Sequence, residues 1–324
     1  MDTIDARDLF WLADQRRALM AARASGRFPH AILIQASAGC GGEALCRLVA
    51  QAALCRQPQA PCGVCRECNL AAHVAHPDFL WVGVDEKKTQ IGIDQIRALS
   101  EKLQMTSYES GGTVAVIAPA DRLHGPSSNA LLKTLEEPRS GVTIVLLTAW
   151  PGRLLPTIVS RCLLLRVAVP PRMATLEWLQ ARAPHRDWEA ALALCSDAPL
   201  AALENNPAEL AALRSDTFLA MDAIASGRLT PPGPAADWSR AEQYRWRMAG
   251  VENWITTRIA ALIANPQQPH LPALAATQKI ALCSRLLESA HELIRQSDSP
   301  LNKSLGLERL FWQASRMQGT GHPN

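Results

Sequence analysis

Apolar positions recur along the first half of the chain in two alternating rhythms. Residues 8–25 place Leu9, Leu12, Ala13, Leu19 and Met20 near helical spacing, which predicts an amphipathic helix. Residues 31–35 (AILIQ) form a continuous apolar run of strand length. A small-residue loop, 36–42, follows, and then a helical pattern over 43–54 with Leu45, Leu48, Val49 and Ala52 on one face. Apolar runs at 79–84, 114–118 and 143–148 predict further strands, and their lack of alternation suits a parallel sheet covered by helices on both faces. Helical patterns at 93–103, 128–137 and 154–159 lie among them. Pro138 closes the second of these, because the residue before a proline disfavours helix.

Beyond the apolar run 163–167 no further strand is predicted. Pro170 and Pro171 mark a boundary, and 173–203 carries helical segments interrupted at Pro184 and Pro199. The stretch 227–238 (GRLTPPGPAADW) is too rich in Pro and Gly to predict a regular element. Long helical patterns occupy 240–317, split at 265–272 and 297–300, and the tail 319–324 reads as a mobile end. The expected organisation is an α/β domain over 1–167, a small helical domain over 168–207 and a larger helical domain over 208–324.

Composition narrows the class. With 324 residues, 48% of them hydrophobic and 19% charged, the chain can bury more than one core and does not read as disordered. No apolar run reaches the roughly 18–20 residues of a membrane span, and the Asp- and Arg-studded first thirty residues do not read as an export signal. The expectation is a cytoplasmic protein with no membrane association. Net charge is only +3 and evenly spread, without the basic stripe of a protein that grips nucleic acid alone. Nine cysteines in such a chain do not read as a disulfide framework.

Four of those cysteines, Cys55, Cys62, Cys65 and Cys68, form C-x₆-C-x₂-C-x₂-C. Four soft ligands on one short loop suit a closed, structural Zn²⁺ site. Two other readings stand beside it: unligated buried thiols, and part of an iron–sulfur motif, although the C-x₃-C-P continuation of a ferredoxin is missing. His73 and His76 lie near enough to substitute as ligands. Cys40, Cys46, Cys162, Cys195 and Cys283 are isolated.

Strand, glycine loop and helix at 31–54 is the order of a phosphate loop, which reads G-x-x-x-x-G-K-[ST], with Lys on the phosphates and the hydroxyl on Mg²⁺. Here 36–43 reads ASAGCGGE: Gly39 and Gly41 are present, Gly42 stands at the lysine position and Glu43 at the hydroxyl position. A plain glycine turn is the alternative reading. The strand 114–118 likewise runs into Pro119 and Ala120, with Asp121 three residues beyond Ala118, where an ATPase would carry an acidic pair. Two broken motifs in matching places predict a chain that does not hydrolyse ATP. Arg161 is either a solvated surface residue or a cation offered to a neighbouring subunit. Glu136 and Glu137 point about 100° apart on a helix and read as a helix-end face rather than a catalytic pair.

Several segments together resemble one family: 27–33 (RFPHAIL), the four-cysteine insert, 76–78 (HPD), 93–97 (IDQIR), 128–138 (SNALLKTLEEP), 160–162 (SRC) and 302–312 (NKSLGLERLFW). The set is similar to that of bacterial clamp-loader AAA+ proteins, densely over 1–167 and thinly beyond. The resemblance implies an AAA+ P-loop-type α/β domain with a zinc module at 55–68, then a helical lid and an all-α collar that joins an oligomer. It implies partnership with motor subunits and the delta subunit, and with the sliding clamp and primed DNA through the complex. Gly42, Glu43, Ala118 and Pro119 depart from the motor pattern, as does Leu200 at the position of a nucleotide-sensing arginine. Arg161 of the SRC motif and Thr148 at a strand-end sensor position keep it. The implied role is a non-hydrolysing stator that supplies Arg161 in trans. The alternatives are a motor-type ATPase with an atypical loop and a stand-alone zinc-dependent DNA-binding protein.

Overall fold

The computed structural model describes residues 4–86, 88–105, 112–184, 186–240, 243–264, 276–295 and 303–316. They form two compact units, Met1–Pro170 and Pro171–Asn324.

In the first unit, two 3₁₀ turns (Ala6–Asp8 and Phe10–Leu12) lead into α1 (Ala13–Ala24). The helix expected over 8–25 therefore starts late: Leu9 has an extended backbone, and its side chain turns inward instead of joining the helical stripe. β1 (Ala31–Ala36) and α2 (Gly42–Leu54) follow as the apolar pattern predicts. Next comes α3 (Arg66–Ala72), a short helix inside the cysteine insert that the periodicity did not reveal. The unit continues through β2 (Phe79–Val82), α4 (Ile93–Gln104), β3 (Thr113–Ile117), α5 (Gly125–Glu136), β4 (Val142–Thr148), α6 (Pro156–Val159) and β5 (Leu163–Val167).

All five strands are parallel, in the order β2-β3-β4-β1-β5. The three central strands are almost wholly buried, which explains their continuous apolar runs; β5, at an edge, alternates buried and exposed positions instead. Because β1 lies between β4 and β5, the loop leaving it emerges in the middle of the carboxyl edge of the sheet. That is where ligands dock in open parallel sheets. Gln35 pairs with Thr148 there.

The family-like motifs make local contacts. Gln95 accepts the Gly92 N–H at 2.9 Å and donates to Gly83 O and Asp85, fixing the start of α4. Ser127 donates to Ile91 O at 2.8 Å, and Leu131 and Leu135 enter the core that α5 shares with α4. His76 accepts the Asp78 N–H through Nδ1 at 3.0 Å, so it shapes the turn before β2.

The second unit is helical: α7 (Arg172–Arg182), α8 (Trp188–Leu194), α9 (Pro199–Glu204), α10 (Pro207–Ala225), α11 (Pro232–Arg240), α12 (Tyr244–Ala264), α13 (Ala276–Arg295) and α14 (Lys303–Ser315). One expectation changes. The stretch 227–238, read as irregular, contains the start of α11: Pro232 and Pro234 fall in its first turn, where the missing N–H costs nothing, and Ala235 and Trp238 are buried. The breaks expected at Pro184 and Pro199 are present, with α7 ending at Arg182, α8 at Leu194 and Pro199 opening α9. The segments expected at 265–272 and 297–300, Asn302 of the last motif and the tail 319–324 lie outside the described residues.

This unit holds two apolar clusters. One gathers Leu179, Trp188, Leu192, Leu194 and Leu210; the other gathers Met221, Trp238, Val251, Trp254, Leu307 and Phe311. α10 contributes to both. Among the described residues no helix is long and apolar enough to cross a membrane.

Phe311 is fully buried and meets Trp238 edge-to-face at a centroid distance of 5.1 Å. Phe311→Ala should destabilise the second unit by about 3–5 kcal/mol, read as a lowered urea midpoint.

Candidate functional site

The loop between β1 and α2 has the backbone of a phosphate loop: Gly39 and Gly41 both have positive φ, at 75° and 90°, and Gly41 caps α2 in the left-handed conformation. The segment before α1 packs closely against this loop. A Cβ built on Gly41 would lie 2.7 Å from Leu9 Cδ1 and 3.4 Å from Leu12 Cδ1, and Trp11 Nε1 donates to Cys40 O at 2.9 Å. Leu9 and Leu12 are completely buried. The apolar positions read as one face of a first helix are thus a lid over the loop. Gly42 has no room for a longer side chain either: its Cβ would fall 2.6 Å from Leu147 Cδ1 and 2.8 Å from Ala36 Cβ. Glu43 sits in the first turn of α2, a position the helix dipole favours for an anion, and pairs with Arg47 at 3.2 Å.

Thr148 ends β4 beside this loop, and its hydroxyl is engaged within the chain. It donates to Asp121 Oδ1 at 2.7 Å and accepts the Trp150 N–H at 2.9 Å. Asp121 is almost fully buried, with Arg153 3.9 Å from its other oxygen. Sequence reasoning set Asp121 aside as too far beyond the strand. The 3₁₀ turn Ala120–Arg122 brings it back against Thr148, and no linear spacing announces that.

The four predicted cysteines converge. Cys55 caps the end of α2, Cys62 lies in the following loop, Cys65 caps the start of α3 and Cys68 lies within it. Their sulfurs all lie within 4.8 Å of one another, with Cys55–Cys65 at 3.8 Å and Cys62–Cys68 at 4.0 Å. A tetrahedral ion with bonds of about 2.3 Å to sulfur needs sulfurs about 3.8 Å apart, so the donor set fits one four-coordinate metal ion. An iron–sulfur cluster would hold its thiolates further apart around its own core. Backbone N–H groups already face the sulfurs: Cys65 N–H donates to Cys62 Sγ at 3.3 Å and Cys68 N–H to Cys65 Sγ at 3.4 Å. The Val64 and Cys65 amides pull the Cys62 thiol down to about 6, whereas burial raises Cys65 and Cys68. His76 is engaged in its turn, which leaves the cysteines as the ligand set. The remaining cysteines are buried or half-buried thiols; burial raises Cys40 and Cys162 to about 11.

Arg161 lies at the opposite edge of the sheet. It follows α6, just ahead of β5, whose Leu163 pairs with Ile32 near the start of β1. The phosphate loop leaves β1 five residues after Ile32, about 16 Å further along at the parallel-strand rise. Arg161 is exposed; its Nη2 lies 2.7 Å from Glu136 Oε1 and its Nη1 donates to Thr157 O at 2.9 Å. Glu136 is therefore a partner of Arg161, a role that its position at a helix end did not disclose.

These features define a class: a P-loop-type α/β domain with a five-stranded parallel sheet, a phosphate-loop lysine replaced by glycine and a tetracysteine insert, followed by helices. Comparison with known proteins narrows it further. A family model described as DNA polymerase III, delta subunit, matches residues 13–171. The DNA polymerase III subunit delta' of Escherichia coli K12 is 36% identical over 234 residues, covering 70% of this chain and 67% of that one. The subunit delta' of Pseudomonas aeruginosa PAO1 is 38% identical over 178 residues, covering 53% and 54%. The chain belongs to the DNA polymerase III subunit delta' family, and its matched stretches span between about half and two thirds of these relatives. Among solved structures, a DNA polymerase III gamma subunit-related protein of Thermotoga maritima aligns over 95% of this chain and 99% of its own, at 18% identity and a TM-score of 0.45.

Two outcomes follow for the site. Gly42→Lys, which restores the motif lysine, should lower the melting temperature through its clash with Leu147 and Ala36, and the variant should show no ATP-dependent thermal shift. Purified chain should carry one equivalent of divalent metal by elemental analysis, and Cys68→Ser should lose it together with thermal stability.

Proposed function

We propose that this chain is the delta-prime subunit of a bacterial sliding-clamp loader: a cytoplasmic, non-hydrolysing member of a hetero-oligomer with motor subunits and a delta subunit. It acts in chromosomal replication, during loading of the clamp on primed DNA. The observation that carries the reading is the division between the two edges of its sheet. At the carboxyl edge Leu9 and Leu12 pack on Gly41, Trp11 bonds the Cys40 carbonyl, and the candidate sensor hydroxyl, Thr148, donates to Asp121. At the amino edge Arg161 stands exposed, too far from its own loop to serve it. An exposed guanidinium in that place is positioned to reach a site on another subunit, where such a group stabilises charge on a transferring phosphoryl group. In this reading Arg161 is the catalytic contribution of this chain, given in trans.

Structural zinc at Cys55, Cys62, Cys65 and Cys68 pins the insert to the end of α2 and does no chemistry. Residues 168–207 form the lid and 208–324 the collar, with α10 contributing to the apolar clusters on both sides of that boundary. DNA contact is made through the complex, in keeping with the even charge. The closed loop and the acidic Glu43 speak against the motor-ATPase alternative.

The test is ATP turnover by a loader reconstituted from motor subunits, delta and this chain, with clamp and primed DNA. Arg161→Ala should assemble normally yet lower turnover at the site it serves by about tenfold or more, given the 10³–10⁵ attributed to such arginines in GTPases. Unchanged turnover in a fully assembled complex would overturn the trans role.

A further inference from the structure

One short segment touches both the metal loop and the closed phosphate loop. At its start Asp5 caps the first 3₁₀ turn, accepting the Arg7 N–H at 2.8 Å and binding Arg7 Nε through both carboxylate oxygens at 3.0 Å. This folds the guanidinium back onto the cysteine insert. Gly63, between Cys62 and Cys65, has a φ of +76°, and a Cβ built there would overlap the Arg7 guanidinium. The position thus needs glycine twice over. The Asp5 hydrogen bonds raise the Arg7 guanidinium above its ordinary range. Arg16 donates to Arg7 O at 2.6 Å, which ties the turn to α1. One, four and seven residues after Asp5 the same segment delivers Ala6, Leu9 and Leu12 into the core, with Trp11 on Cys40 O.

A divalent ion in four thiolates leaves a cluster of net charge −2. A guanidinium packed on its loop offsets part of that charge, and outer-shell partners of this kind typically change metal affinity by 10–100-fold. We propose that Arg7 is an outer-shell residue of the metal centre, and that through it metal binding and the seating of residues 5–12 over the phosphate loop are thermodynamically coupled. The cysteine module then has a task within this chain: it holds the lid that closes the loop. The inference rests on the metal reading of the four cysteines. Coupling is reciprocal, so whatever factor Arg7 adds to metal affinity, bound metal adds to the seating of the segment.

Two measurements on the full chain test this. Zinc affinity, by competition with a chromogenic chelator, should fall about tenfold or more in Arg7→Ala, with Arg7→Lys between it and wild type. Hydrogen exchange of the wild-type chain, with Zn²⁺ bound and after chelation, should show amides at 6–12 losing protection by a comparable factor while β1, β3 and β4 keep theirs. This second measurement needs no variant and stands even if Arg7→Ala folds poorly. Zinc affinity within twofold of wild type in Arg7→Ala, or amides at 6–12 indifferent to chelation, would overturn the coupling. Loss of protection throughout the sheet on chelation would also overturn it, because the metal would then act on folding as a whole. A wild-type chain that takes up no zinc would overturn the metal reading itself and the coupling with it.

Discussion

The close approach of Leu9 and Trp11 to Gly41 governs the rest of this molecule. A phosphate loop is an arrangement of backbone N–H groups around an open space, and its chemistry depends on that space as much as on its lysine. Here Leu9 and Leu12 pack on Gly41 of the loop and an indole N–H donates to a loop carbonyl. Gly42 packs directly on Leu147 and Ala36, so the helix behind the loop sits closer to the sheet than a lysine would allow. Removal of the lysine and closure of the loop are one packing solution, in which apolar burial replaces charge neutralisation.

That closure places the available chemistry elsewhere. A parallel sheet has two unlike edges, and the carboxyl edge is the usual home of ligands. With that edge occupied, the exposed Arg161 at the amino edge becomes the functional group that the proposed role requires. Its carboxylate partner, Glu136, comes from the SNALLKTLEEP segment, so two motifs far apart in sequence meet at one ion pair. Exposed pairs of this kind contribute little to stability; their value is in setting where a guanidinium sits.

Much of the α/β unit was legible beforehand because buried parallel strands leave a plain trace. The runs at 31–35, 114–118 and 143–148 are apolar throughout, and the structure covers them on both faces. The cysteine spacing was equally readable, since two C-x₂-C steps on one loop can hardly avoid one another. The helical half was less legible. The Pro-rich stretch around Pro231 was read as irregular because proline breaks helix interiors, yet the first turn of a helix has no need of the N–H that proline lacks. The helix α3 has only seven residues, about two turns, too short for its periodicity to register.

By itself the sequence determined the order of the strands, the tetracysteine set and the loss of the lysine and acidic pair, because each of these depends on residue type at short spacing. Tertiary structure alone decided what replaced the lost chemistry. That Leu9 would leave its helical stripe to cover Gly41, that Asp121 would take the Thr148 hydroxyl, that Glu136 would hold Arg161 and that Arg7 would lie on Gly63 are contacts between segments distant in the chain. They depend on which surfaces the sheet brings together, and no local pattern of apolar and polar residues carries that information.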